Sequence, residues 1–392
     1  MRQRQQGFIY VISLGVLLMM TMLSASMLIR SLVATGVAER SERQAAAFQL
    51  AEAAVDQEAV NLRTAAANDD VLFGVLPLGT FSVVSVAPID AQTQRVTGRG
   101  IVGSEQRDVE AIVRTVPQSI FQFALFADQR LSVGGSANTD SYDSRNGAYD
   151  ASTNHGHDGD VGTNAATAGG VTVSGSIFVD GQIAVGAGVS NPTSVVTGYN
   201  PAFITGGTSP PSDTQDVISQ AAPFPMEPVA VPPGLTCNDT TVNGNSTTTL
   251  SPTGGPLGNG TYCYHNLTIQ GGAILTATGK VKVYLTGDLI ARGNSTVGVP
   301  SDPTKMIFLM NSTNGATLEE GTVTGSTEFY GALYGPIATI NITGNAKVFG
   351  SIIAKTITES GSAEIHFDEA LAANTDVSNL YKTTVVSWRD LN

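Results

Sequence analysis

The chain has 392 residues, enough to bury a large core or to hold two or more domains. Charged residues are only 14%, which excludes a highly charged disordered chain and is unlike a typical helical enzyme. The formal charge of −13 disfavours a nucleic acid partner, because a phosphate backbone repels such a surface.

Residues 1–63 carry six Arg against five acids, so the acidity belongs to the body that follows. The run from Phe8 to Ile29 has no charge, and as a helix it would span roughly 33 Å, about the hydrocarbon thickness of a bilayer. Arg2 and Arg4 precede the run and favour an N-terminus held in the cytoplasm, with the body outside. Two competing readings are a signal peptide cut near Ala25-Ser26 and a plain signal anchor; the helical pattern continues past Ala25 without a break. Phe48, Ala51, Val55, Ala59 and Leu62 continue it at helical spacing among Gln44, Glu52, Asp56, Gln57 and Glu58, and Asn68-Asp69-Asp70 ends it.

A short basic leader, the Gly7-Phe8 junction, an apolar half-helix and AAAFQLAEAAVDQE at 45–58 together resemble type IV pilin-like proteins, nearest to PilX-type minor pilins. The resemblance implies cleavage between Gly7 and Phe8 by a prepilin peptidase, methylation of the new N-terminal Phe8, and bundling of the apolar helix with those of other pilin-like subunits. It departs at position 12, where Ile12 stands in place of the Glu of major pilins. That leaves a neighbouring terminal amine without its buried partner and points to a minor or tip subunit.

GTFSVVSV, QRVTGRGIV and RDVEAIVRT, within 79–115, predict a small antiparallel sheet. Beyond it lies a repeat. TGSTEFYG begins at Thr324, TGNAKVFG at Thr343 and SGSAEIHF at Ser360, with weaker relatives near 132, 173, 269 and 290. Short β-branched runs with Gly175, Gly272, Gly293, Gly325, Gly344 and Gly361 at corners predict stacked coils, hence a parallel, right-handed β-helix. Residues 120–375 also resemble the bactofilin-like β-helical domains, a resemblance that supplies no catalytic residues.

The expected organisation is a mainly β protein with a long N-terminal α-helix and a small antiparallel sheet followed by the parallel β-helix. Its parts are a leader 1–7, a pilin-like helix 8–67 with 8–29 in the membrane, a β head 68–118, the β-helix 119–375 and a tail 376–392 holding the single Trp388. Within the β-helix, 191–235 carries nine prolines and reads as a surface insertion, with a short helix near 213–222. Cys237 and Cys263 are the only cysteines; in an exported body they are expected to join, and two free buried thiols are the alternative.

NHGHDGD at 154–160 gathers His155, His157, Asp158 and Asp160, with Asp140, Asp143 and Asp150 just before it. The spacing matches neither an EF-hand nor a standard zinc motif, so a solvated polar loop is expected, with Ca²⁺ the choice if a metal binds. Asn138-Thr139-Asp140 and Gly156-His157 faintly resemble two fragments of polygalacturonase motifs, without the further carboxylate pair or the basic motif that such enzymes need. His366-Phe367-Asp368-Glu369 reads as a cap on the last repeat. P-loop, GxSxG and HExxH motifs do not occur, and neither a cofactor nor a catalytic residue is expected.

The expected function is therefore a non-enzymatic minor pilin-like component that displays its body for pilus assembly or for adhesion to a surface or polysaccharide. A membrane-tethered carbohydrate-active enzyme and a cell-envelope scaffold are the alternatives.

Overall fold

The computed structural model describes residues 2–62, 73–90, 92–204, 216–313, 315–319, 326–375 and 380–391. The expected helix stop at 68–70 and the repeat start at Thr324-Gly325 lie outside these residues. The chain divides into two compact units, Met1–Pro117 with Tyr381–Asn392, and Gln118–Leu380.

In the first unit one α-helix runs Arg2–Asn61 with no Pro to kink it, and its 60 residues rise about 90 Å. Residues 13–43 are all exposed, including Leu14, Met20, Leu28 and Val33. This helix is long and apolar enough to cross a membrane once. Farther along, Ala47, Leu50, Ala51, Ala54, Val55 and Leu62 are buried, and Phe48 and Ala59 flank them.

That buried stripe packs on an antiparallel sheet, against Val83, Val96, Val109, Ala111 and Val113. The three expected runs are the strands Gly79–Pro88, Thr93–Val102 and Glu105–Gln118. Phe73–Leu76 joins one side of the sheet, and Leu380–Asp390 joins the other beside Glu105–Gln118. Gly100 explains the close approach: a Cβ there would lie 1.9 Å from the Ala47 carbonyl oxygen. Arg99 and Asp108 hold two neighbouring strands through paired 2.8 Å hydrogen bonds, and this guanidinium keeps the Asp108 carboxyl below its usual pKa.

The second unit corrects the expectation of a parallel β-helix. Its mostly parallel sheet closes into a six-stranded barrel instead of running on as an open solenoid. A closed circuit of parallel pairings joins Thr261–Gln270, Val281–Leu285, Met306–Met310, Glu328–Gly344, Gly315–Glu319 and Leu289–Arg292, the last returning to the first. Two long strands make the closure. Thr261–Tyr264 pair with Lys282–Leu285 while Leu267–Gln270 pair with Leu289–Arg292. Ala332–Tyr334 pair with Ile307–Leu309 while Thr339–Ile342 pair with Gly315–Leu318. The repeats do neighbour one another, since Thr343 and Gly344 face Ser360 and Gly361. Periodicity names neighbours, but strand length decides whether one strand serves two of them.

The strand order also departs from the chain order. Lys347–Gly361 pairs in parallel with Leu125–Val133, and Glu364–Asp368 with Asn138–Tyr142, so the last repeats of the unit stack on its first strands. Alternate residues such as Val281, Val283 and Leu285 point into one core with Phe308, Leu318, Phe329 and Ile340.

Residues 220–237 carry no strand and cross the outside of the sheet. Phe224 packs on Phe123 and Phe126, and its backbone exchanges two 2.7 Å hydrogen bonds with the Asn164 amide. Tyr334 donates to the Glu227 carbonyl at 2.7 Å. This strap buries the outer face of Met306–Met310, which is why all five of its residues are buried. The helix expected near 213–222 is corrected: Val217–Ser219 is a strand paired with Ile183–Val185, because its β-branched residues extend an existing parallel ladder.

Candidate functional site

The most concentrated group of chemistry-bearing side chains is built by the stacking of repeats. GSAEIH at 361–366, GSANTD at 135–140 and GSIFVD at 175–180 share a Gly-Ser start and end at the sixth position in His366, Asp140 and Asp180. The register places His366 opposite Asp140, and Thr139 opposite Val179, so these three ends follow one another in a column. GNAKVF at 344–349 adds Phe349 opposite His366, and Tyr330 lies opposite Phe349. Aromatic rings thus give way to an imidazole and then to two carboxylates.

His366 is 1% exposed, with Nδ1 2.5 Å from Asp140 Oδ1, and its ring stacks on Tyr149 and Phe349 at 3.8 and 4.8 Å. Tyr149 donates to Asp140 Oδ2 at 2.8 Å; burial, then this carboxylate, raises the pKa of its phenol. Asp140 and Asp180 are each 4% exposed.

The 154–160 loop is pinned over this floor, with His155 and Asp158 still exposed to solvent. The Gly156 amide donates to the Ser141 carbonyl at 2.7 Å, the Asp158 amide to Ser141 Oγ at 2.9 Å, and the Gly159 amide to the Asp180 carbonyl at 2.8 Å. Gly159 is required there, because a Cβ would sit 2.6 Å from the Asp140 backbone. So held, His157 Nδ1 lies 2.7 Å from Asp180 Oδ2, and His155 Nε2 lies 3.5 Å from both Asp180 Oδ2 and Asp140 Oδ2. One donor atom from each of His155, His157 and Asp180 falls within 4.8 Å of the others.

The other predicted acids do not join the group. Asp143 pairs with Arg145 at 2.7 Å, and Asp150 caps its own turn through the Ser152 and Thr153 amides. Asp160 accepts from the Gln182 amide at 2.7 Å, and burial pushes its carboxyl up to about 6. At the end of the last repeat Asp368, not His366, supplies the cap, accepting from the Ala370 and Ser144 amides at 3.1 and 3.0 Å. Asp180 escaped the sequence reading, although aligning the Gly-Ser repeats places it in the column with Asp140. The two polygalacturonase-like fragments come together here around Asp180 and His155.

Gly7 and Phe8 lie within the helix Arg2–Asn61, and their side chains are outside the described residues. Cys237 and Cys263 form a disulfide with Cα atoms 4.7 Å apart, tying the end of the strap to the barrel strand Thr261–Gln270. They are separated by 26 residues, so reduction is expected to cost about 3 kcal/mol through loop-closure entropy. Urea denaturation with and without reductant measures it; coincident curves would show that the bond adds nothing.

A family model described as a domain of unknown function, DUF7305, matches residues 264–374, less than half of the chain. A search of curated proteins finds no match. Among solved structures, the crystal structure of the competence-associated pilin ComZ from Thermus thermophilus aligns over 89% of this chain and 97% of that one, at 13% identity and a TM-score of 0.33. A superposition at that score carries no argument about fold or function.

Proposed function

We propose that the chain is a non-enzymatic, minor pilin-like component of a type IV pilus or related pseudopilus. In this reading a prepilin peptidase cuts between Gly7 and Phe8. The apolar half-helix first anchors the chain in the inner membrane, N-terminus cytoplasmic, and then packs against the helices of sister subunits. The body outside the membrane serves assembly or adhesion.

The observation that supports it is the construction of the helix. An exposed stretch over 13–43, uncharged as far as Ile29, passes without a Pro into a stripe packed against a sheet from Ala47 to Leu62. A bare anchor needs only a span. A helix gripped by a sheet along its second half makes the apolar half a fixed projection, which suits lateral packing with like helices.

The test is mass spectrometry of the membrane-extracted chain from cells that express a prepilin peptidase. The expected mature N-terminus is a methylated Phe8, and Gly7→Val should block cleavage while leaving membrane insertion intact. An N-terminus near Ala25, an uncut Met1, or normal processing of Gly7→Val would refute the reading.

A further inference from the structure

We infer that His155, His157 and Asp180, with Asp140 as fourth donor, form a binding site for a divalent transition metal, zinc by preference. The sequence has only four histidines, and three of them, His155, His157 and His366, converge on the same two carboxylates. Chance scatter of polar residues on a surface loop does not place two imidazoles over a buried acidic floor.

Three donors already lie within 4.8 Å of one another, and Asp140, 3.5 Å from His155 Nε2, must move closer to join them as a fourth around a small ion. Ligands about 2.0–2.2 Å from a tetrahedral zinc lie roughly 3.3 Å from each other. His155 Nε2 is already 3.5 Å from one oxygen of Asp180 and from one of Asp140. His157 Nδ1 at 2.7 Å from Asp180 Oδ2 needs only to open from hydrogen-bond to ligand spacing. The donor set of two imidazole nitrogens and two carboxylates suits zinc, whereas calcium takes six to eight oxygens; this replaces the Ca²⁺ expectation.

Electrostatics point the same way. Asp140 and Asp180 are each 4% exposed and both lie 3.5 Å from His155 Nε2, so two buried carboxylates repel one another, a repulsion that a dication between them would relieve. The groups facing Asp140 are His155, His366 and Tyr149. An ion between the two acids and the two exposed-side imidazoles would neutralise both.

The outer shell is already built. Asp140 is oriented by His366 through Oδ1 and by Tyr149 through Oδ2, and His366 packs with the Tyr149 and Phe349 rings in one aromatic cluster. Asp180 and Asp140 stand on neighbouring strand positions, linked by the Asp180 amide donating to the Thr139 carbonyl at 2.8 Å. The metal would therefore clasp the 154–160 loop to two stacked repeats.

The experiment uses the full chain purified in detergent, stripped with chelator and titrated with zinc, with cobalt as the spectroscopic probe. One zinc per chain, visible bands of a four-coordinate cobalt ion, and a zinc-dependent rise in melting temperature are expected. His155→Ala and His157→Ala each change a partly open side chain, so both should fold; each is expected to weaken binding at least about 100-fold. Tyr149→Phe should cost about tenfold, as outer-shell partners do, and His265→Ala, away from the group, should change nothing. Failure of the stripped chain to take up zinc, or equal uptake and melting shift in the His155→Ala/His157→Ala double variant, would overturn the assignment.

Discussion

Gly135→Val is expected to abolish cooperative folding of the Gln118–Leu380 unit, the largest effect of any single substitution considered. Gly135 has φ +73°, and a Cβ on it would lie 1.8 Å from the Gly361 carbonyl oxygen. The backbone cannot retreat. Ser136 donates to that same Gly361 carbonyl at 2.7 Å, and Ser176 donates to the Gly135 carbonyl at 2.8 Å. A left-handed conformation costs an L-residue about 1–2 kcal/mol, and overpacking adds about 1–3. With a β-branched side chain driven into backbone on a stacked corner, the loss should exceed about 4 kcal/mol, out of a typical domain stability of about 5–15. Gly188→Ala separates strain from clash, because Gly188 has φ +75° and nothing within 4 Å of its would-be Cβ. It should cost only about 1 kcal/mol. Urea denaturation followed by circular dichroism reads both, and a Gly135→Val curve that overlays the wild type would contradict the stacked-corner account.

Phe308→Ala is the second large effect, expected to destabilise the same unit by about 3–5 kcal/mol. Phe308 is fully buried on the barrel strand Met306–Met310, with its ring 5.4 Å from that of Phe329. Its two faces are closed differently, the inner by the main core and the outer by the strap that covers Ile307 and Leu309. The site therefore cannot collapse from one side to fill the hole. Ile274→Ala provides the contrast: Ile274 is 37% exposed on a strand whose next residue, Leu275, is buried, and its loss should stay within about 0.5 kcal/mol. If the two substitutions cost the same, the inward and outward faces have been assigned wrongly.

Much of the first unit was legible because its signals are local. Charge absence over Phe8–Ile29, helical spacing from Phe48 to Leu62 and three alternating runs between Gly79 and Thr115 each imply an element without reference to the rest of the chain. The buried stripe is nevertheless rotated toward Ala47, Leu50 and Ala54, and the small residues Ala47, Ala51 and Ala54 mark where Gly98 and Gly100 of the neighbouring strand come close. The tail was not identified as the strand Leu380–Asp390, because a single β-rich run at the end of a chain does not name the sheet it will join.

The candidate site lay halfway between. His155, His157 and Asp140 stood out by type, but Asp180 looked like the end of a weak repeat, and His366 like part of a cap. Counting six positions from each Gly-Ser pair brings Asp180, Asp140 and His366 into line, so the column was present in the sequence as a phase relation. Which repeats are adjacent was not, since His366 meets Asp140 across 226 residues of chain.

By itself the sequence determined the uninterrupted helix, the alternating strands, the glycines that permit left-handed corners and the identity of the only possible intramolecular cysteine pair. These depend on side-chain volume, polarity and backbone freedom within a few residues. Tertiary structure alone decided that the parallel strands close on themselves, that the last repeats stack on the first strands, and that a strap seals the outside of Met306–Met310. Those outcomes depend on which distant backbone edges meet. A hydrogen-bonding edge carries no sequence label, so only the packed chain selects its partner.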